Sequence, residues 1–222
     1  MTRSSRWKSF VFMIAATLVS VPKAWATTIP LGIGAFGGST LTTFTGLADG
    51  TEVNGLIVDG IQFSYSLGNG NVVIDGGPGV TNNIAPPNIV SIGNPAGVLT
   101  LLLPGLVDRF GYGYAILNTV PVANATTISL FNGVTPVGSL SYNGVIDPNF
   151  TGGFAGIQST DVFNRVQLTF NSVAAPAFAL DNIRTLSSGA ADVPEPTTLV
   201  LLGTGVLGMI RARASQRRSR IF

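Results

Sequence analysis

The residues best placed to do chemistry are few. Phe110, Tyr112, Tyr114 and Ile116 alternate with Gly111, Gly113 and Ala115, so on a strand the four large side chains share one face. Such a stripe has two readings. It packs a core, with the glycines opposite admitting a loop or a neighbouring sheet, or it forms an aromatic platform on which sugar rings stack, with Tyr112 and Tyr114 as the ligand-binding candidates. Asp181, within Leu180-Asp181-Asn182, is a candidate oxygen ligand for calcium. Calcium needs several converging oxygens, and Asp49, Glu52 and Asp59 near the first strands are the candidate partners. The other reading of Asp181 is a strand-edge carboxylate bonded to local backbone N–H groups. Gly32-Ile33-Gly34-Ala35-Phe36-Gly37 spells a dinucleotide fingerprint. That motif works only between a strand and a helix, and here it reads as a flexible leader.

Absences narrow the chemistry further. The chain of 222 residues has no histidine and no cysteine, which removes Ser-His-Asp arrangements, thiolate chemistry and disulfides. Paired carboxylates could hydrolyse glycosides. The acids of the central region, however, sit mostly beside glycine or asparagine and form no distinctive pair. No catalytic residue is nominated, and a non-enzymatic protein is expected. Between positions 27 and 192 there are three arginines, no lysine and nine acids, a net charge of −6. Nucleic-acid binding needs clustered cations, so no nucleic-acid partner is expected.

The elements that position these residues are strands. Ile61, Phe63, Tyr65 and Leu67 alternate with polar residues, as do Val166, Leu168 and Phe170. Further strands are expected at 41–47, 53–58, 71–75, 98–103, 110–118, 126–131, 136–142, 154–157 and 178–183. Turns are expected at Asp59-Gly60, Gly68-Asn69-Gly70, Asp75-Gly76-Gly77-Pro78, Asn132-Gly133 and Asn143-Gly144. The proline-bearing stretch 81–95 reads as a loop. The pattern predicts an all-β fold over residues 27–186, an antiparallel β-sandwich of jelly-roll-like kind.

The two ends read as addresses. Arg3, Arg6 and Lys8 precede an apolar run from Phe10 to Val21, and Ala24-Trp25-Ala26 supplies a small-x-small cleavage site. Residues 1–26 are therefore expected to be a signal peptide, helical in the membrane and handled by Sec-type export machinery. At the other end a linker, 187–196, contains Val193-Pro194-Glu195-Pro196. Thr197 to Ile210 carry no charge, and Arg211, Arg213, Arg217, Arg218 and Arg220 follow. An uncharged stretch closes its backbone hydrogen bonds in lipid as a helix, and the arginines stop translocation on the cytoplasmic side. Fourteen residues make about 21 Å of helix, short for a bilayer, so the flanking arginines must snorkel or the bilayer must thin. Segment 197–222 is thus expected to be a single transmembrane-type helix with an Arg-rich tail.

This order of parts, with Leu201-Leu202-Gly203-Thr204-Gly205-Val206-Leu207-Gly208 inside it, resembles the PEP-CTERM sorting signal of Gram-negative bacteria. The resemblance implies an exosortase as partner, passage through the inner membrane during sorting, and a final place in the cell envelope, at the surface or in the extracellular matrix. It also implies an association with exopolysaccharide. Within the domain, Thr43-Phe44-Thr45, the 59–64 segment, Gly153-Phe154-Ala155-Gly156-Ile157 and Phe178-Ala179-Leu180-Asp181-Asn182-Ile183 are similar to other secreted β domains with this tail. The last phrase resembles the final strand of jelly-roll carbohydrate-binding modules, where an aspartate often helps to hold a structural calcium. The expected function is an exported, non-enzymatic surface or matrix protein. The alternatives are a calcium-stabilised carbohydrate-binding module and a secreted glycoside hydrolase.

Overall fold

A computed structural model describes residues 26–81, 83–147 and 149–187. The expected signal helix, the Pro-Glu-Pro motif and the apolar tail lie outside the described residues. Among the described residues no helix is long and apolar enough to cross a membrane.

The described chain is all-β. Its strands are β1 (Thr28–Pro30), β2 (Thr40–Thr42), β3 (Ile57–Val58), β4 (Ile61–Tyr65), β5 (Val72–Asp75), β6 (Asn88–Ser91), β7 (Leu99–Ile116), β8 (Val122–Asn132), β9 (Thr135–Asp147), β10 (Phe150–Phe170) and β11 (Phe178–Leu186). One 3-10 turn, Ile33–Phe36, lies between β1 and β2. All pairings are antiparallel, in the order β5-β6-β11-β7-β10-β8-β9. Strand β4 joins β7, β3 joins β4, β2 joins β11 and β1 joins β10.

Two long strands turn this sheet into a sandwich. Strand β7 pairs with β4 through Leu99–Leu102 and with β11 from Arg109 to Ile116. Strand β10 pairs with β9 and β1 in its first half and with β8 from Arg165 to Phe170. Between the halves the β7–β10 register shifts at Gln158, Phe163 and Arg165. Bulges bend a strand in this way and let it pass from one layer to the other. We call the bend, residues 103–108 of β7 and 159–164 of β10, the crease. The far ends of both layers meet at the open end, where the rings of Tyr65 and Phe170 each contact Phe178.

The core follows period two. On β4, Ile61, Phe63 and Tyr65 are buried while Gln62 and Ser64 are exposed. Phe110, Tyr112, Tyr114 and Ile116 of β7 join Ile128, Leu130, Val166, Leu168 and Phe178 in one core cluster. The Asp59-Gly60 hairpin turn forms as expected, with φ of 49° and 80°.

Several expectations need correction. The strands expected at 98–103 and 110–118 are one strand, because Pro104 and Gly105 lie in the crease and keep the backbone extended. The strands around 154–157 and 166–170 are likewise both parts of β10. The loop expected over 81–95 contains β6, whose short run Ile89-Val90 pairs with β5 and β11. Asn143-Gly144 is not a turn but part of β9. A β-carbon on Gly144 would stand 2.6 Å from Thr151 Cγ2 and 3.1 Å from Ala125 Cβ, so this glycine serves close packing. Strands expected at 41–47 and 53–58 shrink to Thr40–Thr42 and Ile57–Val58. The glycine-rich leader is an ordered 3-10 turn that buries Phe36.

Candidate functional site

The layer of β5, β6, β11, the second half of β7, the first half of β10 and β1, here the second layer, packs on a first layer of β4, β8 and the other halves of β7 and β10, and it turns a row of small side chains outward. Gly111, Gly113 and Ala115 on β7 stand opposite Gly156, Phe154 and Gly152 on β10, and Ala179 and Asp181 lie alongside on β11. Small residues on a sheet face let backbone approach closely, and here the chain covers them itself. Phe36 meets Phe154 edge-on, with centroids 5.4 Å apart and planes at 74°. Both rings lie within 3 Å of where a β-carbon on Gly111 or Gly156 would stand. Segment 83–85 covers the next part of the row. The Asn83 carbonyl carbon lies 2.7 Å from the β-carbon position of Gly113.

Asp181 fastens that segment. One carboxylate oxygen accepts the Ala85 N–H at 3.1 Å, and the neighbouring Asn182 amide donates to the Asn83 carbonyl at 2.6 Å. Asn83 and Asn182 both adopt left-handed backbone, φ 65° and 53°, a region asparagine tolerates. Asp181 is 1% exposed, and among the described residues its second oxygen meets no donor at full hydrogen-bond geometry. Burial pushes its carboxyl above the usual carboxylate range, and the N–H groups of Asn182 and Ala85 pull it only part of the way back.

Beside this fastening the row is left uncovered as a cleft of about 190 Å³. Its floor is Val90, Ala115 and Ala179, and its walls include Pro78, Leu117 and Phe150. Among the described residues no charged or hydroxyl side chain lines it. Its size suits one ring or one branched aliphatic group rather than an extended ligand. Pattern reading did not find this cleft. The signal available was Ala115 and Ala179, two small residues on the outward face of neighbouring strands.

The nominated sites fare differently. Tyr112 and Tyr114 are 0% and 1% exposed, so neither ring can stack on a sugar, and the platform reading is corrected to core packing. The Tyr112 hydroxyl lies 2.5 Å from Thr126 Oγ1, and the Tyr114 hydroxyl donates to the Asn143 carbonyl at 3.0 Å. Burial raises both phenols, Tyr114 to about 12. Asp181, Asp49 and Glu52 are not gathered: among the described residues no three acidic side chains converge on a cation site. Glu52 instead caps a turn, both its oxygens accepting the Gly70 N–H at 3.0 and 3.1 Å. Asp49 is exposed. Val193, Pro194, Glu195, Pro196 and the five tail arginines lie outside the described residues.

Comparison with known proteins bears on that tail. Residues 192–218 match the PEP-CTERM protein-sorting motif. No curated protein matches the chain. Two solved structures are similar, both variants of CBM29-2, a family 29 carbohydrate binding module. One is 9% identical, covering 67% of this chain and 94% of the other, with a TM-score of 0.35. The second is 11% identical, covering 61% and 99%, with a TM-score of 0.29. Superpositions this loose carry no functional weight. The chain thus has the sorting signal of an exported exosortase substrate, attached to an antiparallel β-sandwich.

Proposed function

We propose that this PEP-CTERM chain is a non-enzymatic protein of the cell surface or extracellular matrix, delivered there by an exosortase and associated with exopolysaccharide. Its jelly-roll-like sandwich is the body put on display, and its tail is the address. The observation that carries the reading is the order of parts at the C-terminus: Pro194-Glu195-Pro196, an uncharged stretch, then arginines, with everything as far as Arg218 inside the matched motif. Composition supports a displayed rather than a catalytic body. The chain offers neither histidine nor cysteine as nucleophile or base, and the largest aromatic side chains of the domain are spent on its core.

The test is made in the producing bacterium. Pro194 and Pro196 are replaced by alanine together, and the chain is followed in membrane, surface and medium fractions. We expect the variant to stay in the membrane fraction unprocessed while the wild-type chain reaches the surface. Surface delivery of the variant at the wild-type level would remove the reading.

A further inference from the structure

Both chain ends leave the sandwich at the crease. Thr28 of β1 pairs with Ser159, and the Thr27 N–H donates to Thr160 Oγ1 at 3.0 Å, beside the bend of β10. Leu186, the last residue of β11, pairs with Arg109, just past the bend of β7. Across this end the strands lie in the order β11-β7-β10-β1. Three strand spacings put the two exits about 14 Å apart.

The cleft is at the other end. Strand β11 begins with Phe178 and Ala179 on the cleft and runs, with one bulge, to Leu186 opposite seven steps of β7, a length of about 23 Å. Loops extend the molecule beyond Phe178, carrying Val173, 99% exposed, and Val120, 56% exposed, in the segment that follows Ile116. The crease carries Val134, 84% exposed, at the tip of the β8–β9 hairpin, where the Gly133 N–H donates to Asn164 Oδ1. It also carries Leu106, 51% exposed.

Tether length favours one end for the membrane side. From Leu186 to Thr197, where the uncharged stretch begins, is eleven backbone steps. They reach about 40 Å at full stretch and about 18 Å as a coil. With the open end on the bilayer, the tether would have to run nearly straight along the whole sandwich and past its loops, well beyond its coil length. With the crease toward the bilayer it spans the gap easily.

We infer that, while its tail is held in the membrane, the domain stands with its crease toward the bilayer and its open end, with the apolar cleft, facing away. This rests on the sorting reading above, which supplies the membrane attachment. The orientation leaves the Pro-Glu-Pro segment under the crease and the cleft free to meet whatever lies outside.

The chain's lack of cysteine makes a direct test simple. Single cysteines are placed in the full-length chain as Val173→Cys and Val120→Cys at the open end, and as Val134→Cys and Leu106→Cys at the crease. Each is labelled with a bulky, impermeant polyethylene-glycol maleimide in spheroplasts lacking the exosortase, then again in detergent. We expect the crease pair to label several-fold more slowly in the membrane than in detergent, and the open pair at the same rate in both. Inserting a long Gly/Ser segment after Ser187 should erase the difference. Equal labelling of all four on a membrane-bound chain, or slower labelling at the open end, overturns the orientation and leaves the sorting reading standing. A chain absent from the membrane fraction overturns both.

Discussion

Phe170 and Phe178 stack face to face, with ring centroids 3.9 Å apart and planes 7° from parallel. One closes β10 in the first layer and the other opens β11 in the second, so this pair joins the two layers at the open end. Tyr65 also packs against Phe178, at 6.4 Å, and Phe178 is 2% exposed. Truncating it removes contacts to both layers at once. Phe178→Ala is expected to lower unfolding free energy by about 3–5 kcal/mol, measured by denaturant unfolding of the purified chain. A loss below about 1 kcal/mol would mean that the layers are joined elsewhere.

Tyr112 supports a graded prediction. Thr126 Oγ1 donates to the Thr169 carbonyl at 3.0 Å, so its lone pair is left to accept from the Tyr112 hydroxyl. Tyr112→Phe keeps the ring and loses one buried hydrogen bond, at about 1 kcal/mol. Tyr112→Ala also loses the ring and should cost about 3–5 kcal/mol. Thermal unfolding of both variants checks the order. Near-equal losses would show that the hydroxyl, not the ring, carries this residue.

Much of this architecture is legible in the sequence, and the failures have physical causes. Alternation on β4 and β7 identifies inward faces, because one face of each strand must meet the core. Alternation cannot show whether the outward face stays in water. The Gly111 and Gly113 face is buried because Phe36 and Asn83, distant in the chain, lie on it. The tyrosine stripe had two readings for the same reason, since exposure belongs to the assembled sandwich. The crease was invisible because Pro104-Gly105 reads locally as a strand break, yet a folded sheet uses that break to turn a corner. Among the site residues, the sorting motif is fully written in linear order, whereas the fastening of Asp181 to Ala85 spans 96 positions.

Gly113 tests the covered row. A β-carbon there would stand 2.7 Å from the Asn83 carbonyl carbon and 3.0 Å from the Asn83 Cβ. Gly113→Ala should therefore push segment 83–85 off the sheet and cost about 1–3 kcal/mol. Gly105→Ala, in the crease, meets nothing within 4 Å and should be neutral or stabilising by up to about 1 kcal/mol. Hydrogen exchange at the Ala85 amide reads the first change directly: it should quicken in Gly113→Ala and stay unchanged in Gly105→Ala. An unchanged Ala85 amide in Gly113→Ala would mean that the segment accommodates the methyl group without lifting.

Asp181 makes the same fastening depend on pH. Its folded-state carboxyl lies above its ordinary value of 3.8 because burial penalises the charge. A group raised on folding contributes its full stability below the unfolded value, near 3.9, and loses it as pH rises through the folded value. At neutral pH the buried carboxylate is therefore a cost. Asp181→Asn keeps an acceptor for the Ala85 N–H and carries no charge to desolvate. The melting temperature of Asp181→Asn relative to wild type should thus be lowest near pH 4 and climb toward pH 7. Asp181→Ala should be destabilised throughout by about 1–3 kcal/mol, because it leaves the Ala85 amide unpaired. A difference between Asp181→Asn and wild type that is flat with pH, or largest in acid, would mean that the carboxyl is not desolvated as its burial implies.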